Sequence, residues 1–370
     1  MIIDLTFVHQ RPLFIAMLWS LVGFFNLAIL SFIPRLTSGL NWRVFYYIFA
    51  TPSILSVIFA FFFSPETYYM RPAVAFNGRI LLQSATEKIH IYDDWEEVPG
   101  GKSLPDLPSV SKFDALSKEL RLWGTTQGGW RRMLSCYPQI LICFLNPLIF
   151  WVTVLQAITF ASMLSIGETY MTVLSEPPYN LPMETIAFVN LAGGLGSLLA
   201  LPLGALSIIW VSRRLAMSNS GVRDAEHYLP AFVLPIITGA ASSIVYGLTL
   251  HFHLSAVLVY FSYFLNCFAF VTLATASTLW VTSAFPRLAA AALINVFGIG
   301  YMASFGISFV IIPWVKKQGY LLVNLEIAAI ILLVGGVVIP VAFWGKRFRV
   351  VFEGRWSYWA VWEAGALRPS

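Results

Sequence analysis

The sequence predicts an all-α integral membrane protein with eight transmembrane helices. Its hydrophobic fraction is 58% and its charged fraction only 11%, whereas soluble domains average about 45–50% and about 25%. None of the 23 Lys and Arg residues falls inside any of eight long apolar runs. Each run has about 20 residues or more, enough to cross a hydrocarbon core of roughly 30 Å as an α-helix. The runs are residues 12–33, 44–64, 138–158, 186–210, 229–250, 254–279, 288–315 and 320–344.

The spacing of these runs predicts four parts: a two-helix unit at 1–64, a central interval at 65–137, a six-helix bundle at 138–345 and a tail at 346–370. The interval is rich in Pro, Gly and charge, which is typical of a linker. Within it, residues 109–123 carry apolar side chains at three- to four-residue steps. This spacing predicts an amphipathic helix on the inner membrane surface or against the bundle, the alternative being a solvated helix without a special role.

The basic residues predict which side of the membrane each loop occupies. If the interval 65–137 is cytosolic, 19 of the 23 basic residues lie inside and 4 lie outside. This distribution satisfies the positive-inside rule. The outer four are Arg35, Arg43, Lys316 and Lys317. We therefore expect both termini and the interval to be cytosolic, and the plasma membrane to be the location.

Composition also argues against several other classes of protein. The net charge of +5 comes from basic residues in short loops, where they orient insertion and meet anionic lipid rather than nucleic acid. Cys136, Cys143 and Cys267 form no CxxC pair, so we expect no disulfide framework, no metal site and no cofactor. The close pair His251 and His253 lies in a short outer turn without nearby carboxylates, so we do not expect an enzyme.

Ionisable groups are absent from the centres of the apolar runs. Glu168 lies near the outer end of the third predicted helix, and Glu326 lies about two turns into the last run. We interpret both as interfacial carboxylates, because an ionised group at membrane depth is costly and is retained mainly for function.

Neutral amide side chains are the better candidates for contacts with a solute. Five of them lie within the predicted helices: Asn146, Gln156, Asn190, Asn266 and Asn295. Each could donate to and accept from a solute in a substrate cavity. The competing interpretation is a hydrogen bond between helices, worth about 0.6 kcal/mol on average in membrane proteins.

Several motifs along the chain carry a resemblance to a known family. Residues 41–71 read NWRVFYYIFATPSILSVIFAFFFSPETYYMR, which resembles the WR…FY…FFxPETYxR signature after the fifth helix of fungal major facilitator superfamily transporters. FVHQR before the first run, PPYN at 177–180, SRRLAMSNSGVRDAEHYL, AFPRLAAAAL and FGISFVIIPW are similar to further motifs of that family, in family order.

The resemblance implies a partial major facilitator fold containing helices five to twelve and lacking the first four. Residues 12–64 would be the fifth and sixth helices, and residues 138–344 the seventh to twelfth. The implied activity is that of a drug:proton antiporter or polyamine-like transporter, which moves small organic solutes by rocking two bundles around a midplane site.

The absence of the first four helices would leave transport activity in doubt, because alternating access uses both bundles. The alternative is a non-transporting remnant, or a regulatory partner of a full-length transporter, from a gene model truncated at the N-terminus. We expect the partners to be a small-molecule solute, protons, membrane lipid, and either a second copy of the chain or the missing amino-terminal half.

Two departures from the family pattern concern the cytosolic rim. Ile208 and Ser283 stand where the family has Asp, so two carboxylates that would pair with cations in one gating state are missing. The resemblance leaves Arg213 and Arg214, with Asp224 or Glu226, as candidates for a compensating gating-loop contact.

Overall fold

The computed structural model describes residues 6, 10–37, 42–63, 74–76, 79–83, 89–92, 134, 136–218, 224–285, 288–345 and 347–348. The interpretation of 109–123 as an amphipathic helix and of 346–370 as a cytosolic tail therefore falls outside the described residues, apart from 347–348. The helices in the described part are α1 (Arg11–Thr37), α2 (Trp42–Phe63), α3 (Cys136–Leu145), α4 (Pro147–Ser175), α5 (Met183–Ser218), α6 (Val233–His251), α7 (Val257–Ala284), α8 (Ala289–Leu293), α9 (Gly300–Gln318) and α10 (Tyr320–Gly336). A 3-10 helix (Ala225–Phe232) precedes α6, and a π-helical segment (Ile294–Ile299) joins α8 to α9.

Seven described segments are long and apolar enough to cross a membrane. They are Arg11–Arg35, Pro147–Ser175, Met183–Ser218, Ala225–His251, Val257–Ala284, Ala289–Gln318 and Tyr320–Gly345. This supports the predicted class, a helical multi-pass membrane protein. The run 44–64 also forms a helix, α2, but its crossing of the membrane stays a prediction.

The run 138–158 was expected to form one transmembrane helix, but the structure divides it at Asn146. Asn146 has extended backbone angles and its side chain accepts a hydrogen bond from the Leu148 backbone nitrogen at 3.0 Å, so it caps α4, which begins with Pro147. Pro is favoured at the first helical position because its missing N–H has no intrahelical partner there. α4 then continues to Ser175, well past the predicted end at 158. The apolar run ended early because the Ser, Thr and Gly residues beyond it lower the hydropathy, although they do not break the helix.

α7 forms the centre of the bundle. It contacts α4, α5, α6 and α1, and most of its side chains are buried. Two of these contacts depend on glycines. A side chain at Gly196 of α5 would overlap the backbone carbonyl of Phe264, and a side chain at Gly193 would meet the ring of Tyr263 at 2.7 Å. Small residues let helices approach closely where lipid supplies no hydrophobic drive for association.

α1 packs along α5, whereas α2 has few contacts with the other helices that the structure describes. Gly23 of α1 faces Ser197, and Gly194 of α5 faces the backbone of Phe24. Along α2, the described side chains from Tyr46 to Phe62 are exposed, apart from half-buried Phe49. The two helices of the predicted 1–64 unit therefore differ, since only α1 is integrated into the six-helix bundle.

A small antiparallel sheet lies in the interval 65–137, which was predicted as a linker. β1 (Val74–Phe76) pairs with β2 (Arg79–Gln83), which pairs with β3 (Ile89–Tyr92), with Phe76 opposite Arg79 and Leu81 opposite Ile91. The sequence Asn77-Gly78 separates β1 from β2, and such a pair between apolar residues is the strongest short-range hairpin signal. The described part of the linker therefore adds three short strands to a protein whose described membrane-crossing segments are all helical.

Candidate functional site

The five amide candidates have different hydrogen-bond partners. Asn146 caps α4, as described above. The Asn295 side-chain nitrogen donates to the carbonyl oxygens of Ile140 at 2.9 Å and of Ala291 at 3.0 Å, which ties the π-helical segment to α3. Asn190 is half-buried on α5 and lies near the Tyr170 hydroxyl of α4. These three amides make structural contacts, and their contact with a solute stays a prediction.

Asn266 forms the centre of a buried polar cluster between three helices. Its side-chain nitrogen donates to Ser162 on α4 and to Ser242 on α6, both at 2.8 Å. The hydroxyls of Ser162 and Ser243 lie 2.9 Å apart. The Asn266 side-chain oxygen is buried and has no hydrogen-bond partner, so the cluster retains one free acceptor at the core of the bundle.

Gln156 is a further buried amide with unused hydrogen-bonding capacity. Its exposed fraction is 0%, and neither its side-chain oxygen nor its nitrogen has a hydrogen-bond partner. Leaving a buried polar group unpaired costs about 1–3 kcal/mol. The side-chain oxygen of Asn295 is likewise buried without a partner, so Gln156, Asn266 and Asn295 all retain polar atoms that could still receive water or a solute group.

Sequence reasoning missed a cluster of aromatic rings that draws on four helices. We call it the aromatic cluster, and its members are Trp19 of α1, Phe160 of α4, Phe270 of α7, Phe297 of the π-helical segment and Tyr301 of α9. Ring centroids lie 4.8 Å apart for Trp19 and Phe297, 4.6 Å for Phe160 and Tyr301, and 5.4 Å for Phe160 and Phe270. All five side chains are half-buried. Aromatic residues make up 16% of the chain, so nothing in the local sequence distinguished these five.

Glu168 lies along the contact of α4 with α9, beyond the aromatic cluster. Its side chain is exposed, and its carboxylate lies near the Ser308 hydroxyl of α9. That hydroxyl donates its one proton to the Phe305 carbonyl oxygen at 2.9 Å, so the carboxylate keeps its capacity to accept hydrogen bonds.

A small pocket between α4, α9 and α10 does not suit a solute. Its volume is about 70 Å³, and residues such as Ile158, Ile311 and Ile327 make its walls almost wholly apolar. Pockets for drug-sized ligands typically measure about 300–1,000 Å³ and include placed polar groups.

The gating-loop candidates lie at the α5 end of the bundle and at the 3-10 helix that follows it. Arg213 and Arg214 are exposed, and the Arg214 guanidinium lies 5.4 Å from the centre of the Trp210 ring. Asp224 forms a capping box with His227 at the start of the 3-10 helix, and Glu226 lies in its first turn. The predicted pairing of these arginines with these carboxylates stays a prediction.

At the opposite end of the bundle, an ion pair connects α1 to α5. The Arg35 guanidinium lies 3.6 Å from the Glu184 carboxylate and 5.3 Å from the centre of the Phe188 ring. At the same end, the Tyr179 hydroxyl donates to the Leu254 carbonyl oxygen at 2.6 Å, and partial burial raises the pKa of Tyr179 above its usual value. These contacts tie α1 and two neighbouring loops to the six-helix bundle.

Among the described residues, no group of His, Cys, Asp and Glu is placed to hold a metal ion. A scan against protein-family models found no match, and neither did searches among curated proteins and solved structures. The class that the fold itself supports is a helical multi-pass membrane protein.

Proposed function

We propose that this chain is a membrane transporter of small organic solutes that works by alternating access, with proton-coupled export or uptake. The observation that carries the proposal is the position of Glu168, an exposed carboxylate inside the membrane-crossing helix that also carries Phe160 of the aromatic cluster. Ionisable groups in such segments are costly against lipid and mark solute or proton pathways. A groove open to water between α4 and α9 would remove that cost.

The buried polar atoms support the same proposal. A bundle that served only to pack would gain nothing from the unpaired amide of Gln156 or the free side-chain oxygen of Asn266. Both residues lie on helices that contribute rings to the aromatic cluster, Gln156 on α4 and Asn266 on α7. Motion of these helices during transport would bring such groups into contact with water or solute in another state.

A second candidate function is that of a regulatory partner of another membrane transporter. The described side chains of α2 are exposed along almost the whole helix, which presents an apolar circumference to its surroundings. Lipid or the helices of another membrane protein would cover such a surface. In this case the chain would change the flux through its partner and carry no flux of its own.

Reconstitution into proteoliposomes tests the first proposal. The full chain is reconstituted, and labelled organic cations, neutral solutes and anions are each offered with and without an imposed pH gradient. We expect gradient-dependent movement of at least one solute class above that of empty liposomes, and loss of the gradient dependence in Glu168→Gln. The matched control is Glu326→Gln, which removes another exposed carboxylate, on a membrane-crossing helix that carries no ring of the aromatic cluster. Absence of flux for every class, with monodisperse protein, overturns the proposal.

A further inference from the structure

One side of α5 carries a continuous row of exposed apolar side chains. We call it the α5 stripe, and its members are Leu195, Leu199, Leu203, Leu206, Trp210 and Met217. Residues three, four or seven positions apart lie above one another on a helix, so these spacings keep all six on one side. The buried residues of α5, such as Gly204 and Ile208, lie on the other side. The α5 stripe therefore faces away from the bundle.

The α5 stripe has the depth of one membrane leaflet. Trp210 follows Leu199 by eleven residues, which is about 16 Å along the helix axis, and half of a hydrocarbon core is about 15 Å. Tryptophan rings prefer the headgroup level, so Trp210 marks the boundary between acyl chains and headgroups. One extended acyl chain of a phospholipid matches the length of this stretch.

Two arginines continue the α5 stripe beyond Trp210. Arg213 and Arg214 follow it by three and four residues, so they flank the line of the stripe about 5 Å farther along the axis. Both side chains are exposed. The Arg214 guanidinium lies 5.4 Å from the centre of the Trp210 ring, which puts a positive charge and an indole together at the headgroup level. Arginine can bind a phosphate through two parallel N–H donors.

The carboxylates that follow α5 in the described part of the chain lie on another element. Asp224 and Glu226 are at the start of the 3-10 helix, and Tyr228 and Leu229 of that helix share a buried apolar cluster with Ile208. The 3-10 helix thus packs against the bundle side of α5, away from the α5 stripe. The arginine end of the stripe combines apolar surface with positive charge, which is complementary to a lipid with a net negative headgroup.

We propose that the α5 stripe binds one anionic phospholipid, with an acyl chain along its leucines and the phosphate on Arg213 and Arg214. The predicted topology places these arginines on the cytosolic side, where the leaflet holds anionic lipids. A zwitterionic lipid offers the same phosphate, but its own cation opposes the two arginines. The inference is independent of the transport proposal, because it concerns the outer surface of the bundle.

Photo-crosslinking tests the proposal in nanodiscs that contain the full chain in phosphatidylcholine. The probes are phosphatidylserine and phosphatidylcholine with the same photoreactive acyl chain, and mass spectrometry of peptides locates each adduct. We expect the phosphatidylserine probe to label the α5 stripe with the higher apparent affinity. The double variant Arg213→Gln, Arg214→Gln should lower that affinity about 25-fold, because each basic residue near the surface contributes a factor of about five, or about 1 kcal/mol.

A matched variant separates this site from the general charge of the protein. The double variant Lys316→Gln, Lys317→Gln removes the same charge from two exposed side chains at the end of α9, and it should leave labelling of the α5 stripe unchanged. Thermal unfolding of each variant verifies its fold. Unlabelled phosphatidylserine should displace the probe, whereas inorganic phosphate, which has no acyl chain, should not.

Several outcomes would overturn the inference. Equal affinity of the two probes would show that the headgroup charge is not recognised, and unchanged labelling after loss of both arginines would place the phosphate elsewhere. Displacement by inorganic phosphate alone would make the free anion the ligand. If a second copy of the chain covers the α5 stripe instead, neither probe will label it and each nanodisc will hold two chains.

Discussion

The side-chain nitrogen of Asn266 lies 2.8 Å from the hydroxyl oxygen of Ser162, across the contact between α7 and α4. The same nitrogen donates to Ser242 on α6. Because an amide nitrogen has two protons, these two bonds use its full donor capacity. One side chain therefore connects three helices at a depth where no water competes for its protons.

Replacing Asn266 with Leu should lower the stability of the bundle. The substitution removes both bonds with little change in side-chain volume, and hydrogen bonds between membrane helices contribute about 0.6 kcal/mol on average and at most about 1.7. We expect a loss of roughly 1–2 kcal/mol, measured by unfolding in mixed detergent micelles. Asn26→Leu is the matched control, since it alters an exposed amide on α1. Equal stability of the two variants would show that the cluster does not hold the helices together.

Gly196→Ala should separate α5 from α7. A methyl group at this position would overlap the Phe264 carbonyl oxygen, a backbone atom that cannot rotate away, and overpacking typically costs roughly 1–3 kcal/mol. Gly306→Ala should have the opposite effect on stability, because nothing lies within 4 Å of its added carbon. We expect Gly306→Ala to be more stable than the native protein by about 0.5–1 kcal/mol, since Gly is a weaker helix former than Ala. Thermal unfolding of both variants tests the difference, and a stable Gly196→Ala protein would contradict the close approach.

The sequence predicted the helices because their signal is local. A run of about 20 apolar residues needs no partner to be recognised. The same runs contain glycines, and those of α5, Gly193, Gly194 and Gly196, lie at close contacts. Gly306 had the same appearance in sequence and faces open space. Only the three-dimensional arrangement of neighbours distinguishes these cases.

The candidate site was less predictable, because its contacts join distant parts of the chain. Trp19 and Phe297 are neighbours through the docking of α1 onto the bundle, which no periodicity reveals. The π-helical segment that carries Phe297 and Asn295 also shifts the register of side chains by one residue relative to a regular helix. Asn266 was named as a cavity candidate, but its serine partners on α4 and α6 could not be read from its own helix.

A disulfide between Gly23→Cys and Ser197→Cys should form if α1 packs on α5 as described. A side-chain carbon on Gly23 would lie 3.0 Å from that of Ser197, somewhat closer than the usual separation of about 3.5–4.5 Å, so a small shift suffices. The pair is introduced into a chain without its three native cysteines, with a protease site inserted between residues 93 and 133. After mild oxidation and cleavage, the fragments should stay joined until reduction. Phe25→Cys with Ser197→Cys is the control, because Phe25 points away and is exposed.

Labelling of single cysteines should reveal which end of the bundle faces the cell exterior. The excess of basic residues in the interval 65–137 and the tail predicts that Lys317 is outside and Arg214 is inside, and both side chains are exposed. In a chain without native cysteines, a membrane-impermeant maleimide should label Lys317→Cys in intact cells. Arg214→Cys should react only after permeabilisation. The reverse labelling pattern would invert the topology and place the Arg35–Glu184 ion pair at the cytosolic rim. Labelling of both variants in intact cells would mean that the chain crosses the membrane an even number of times between residues 214 and 317.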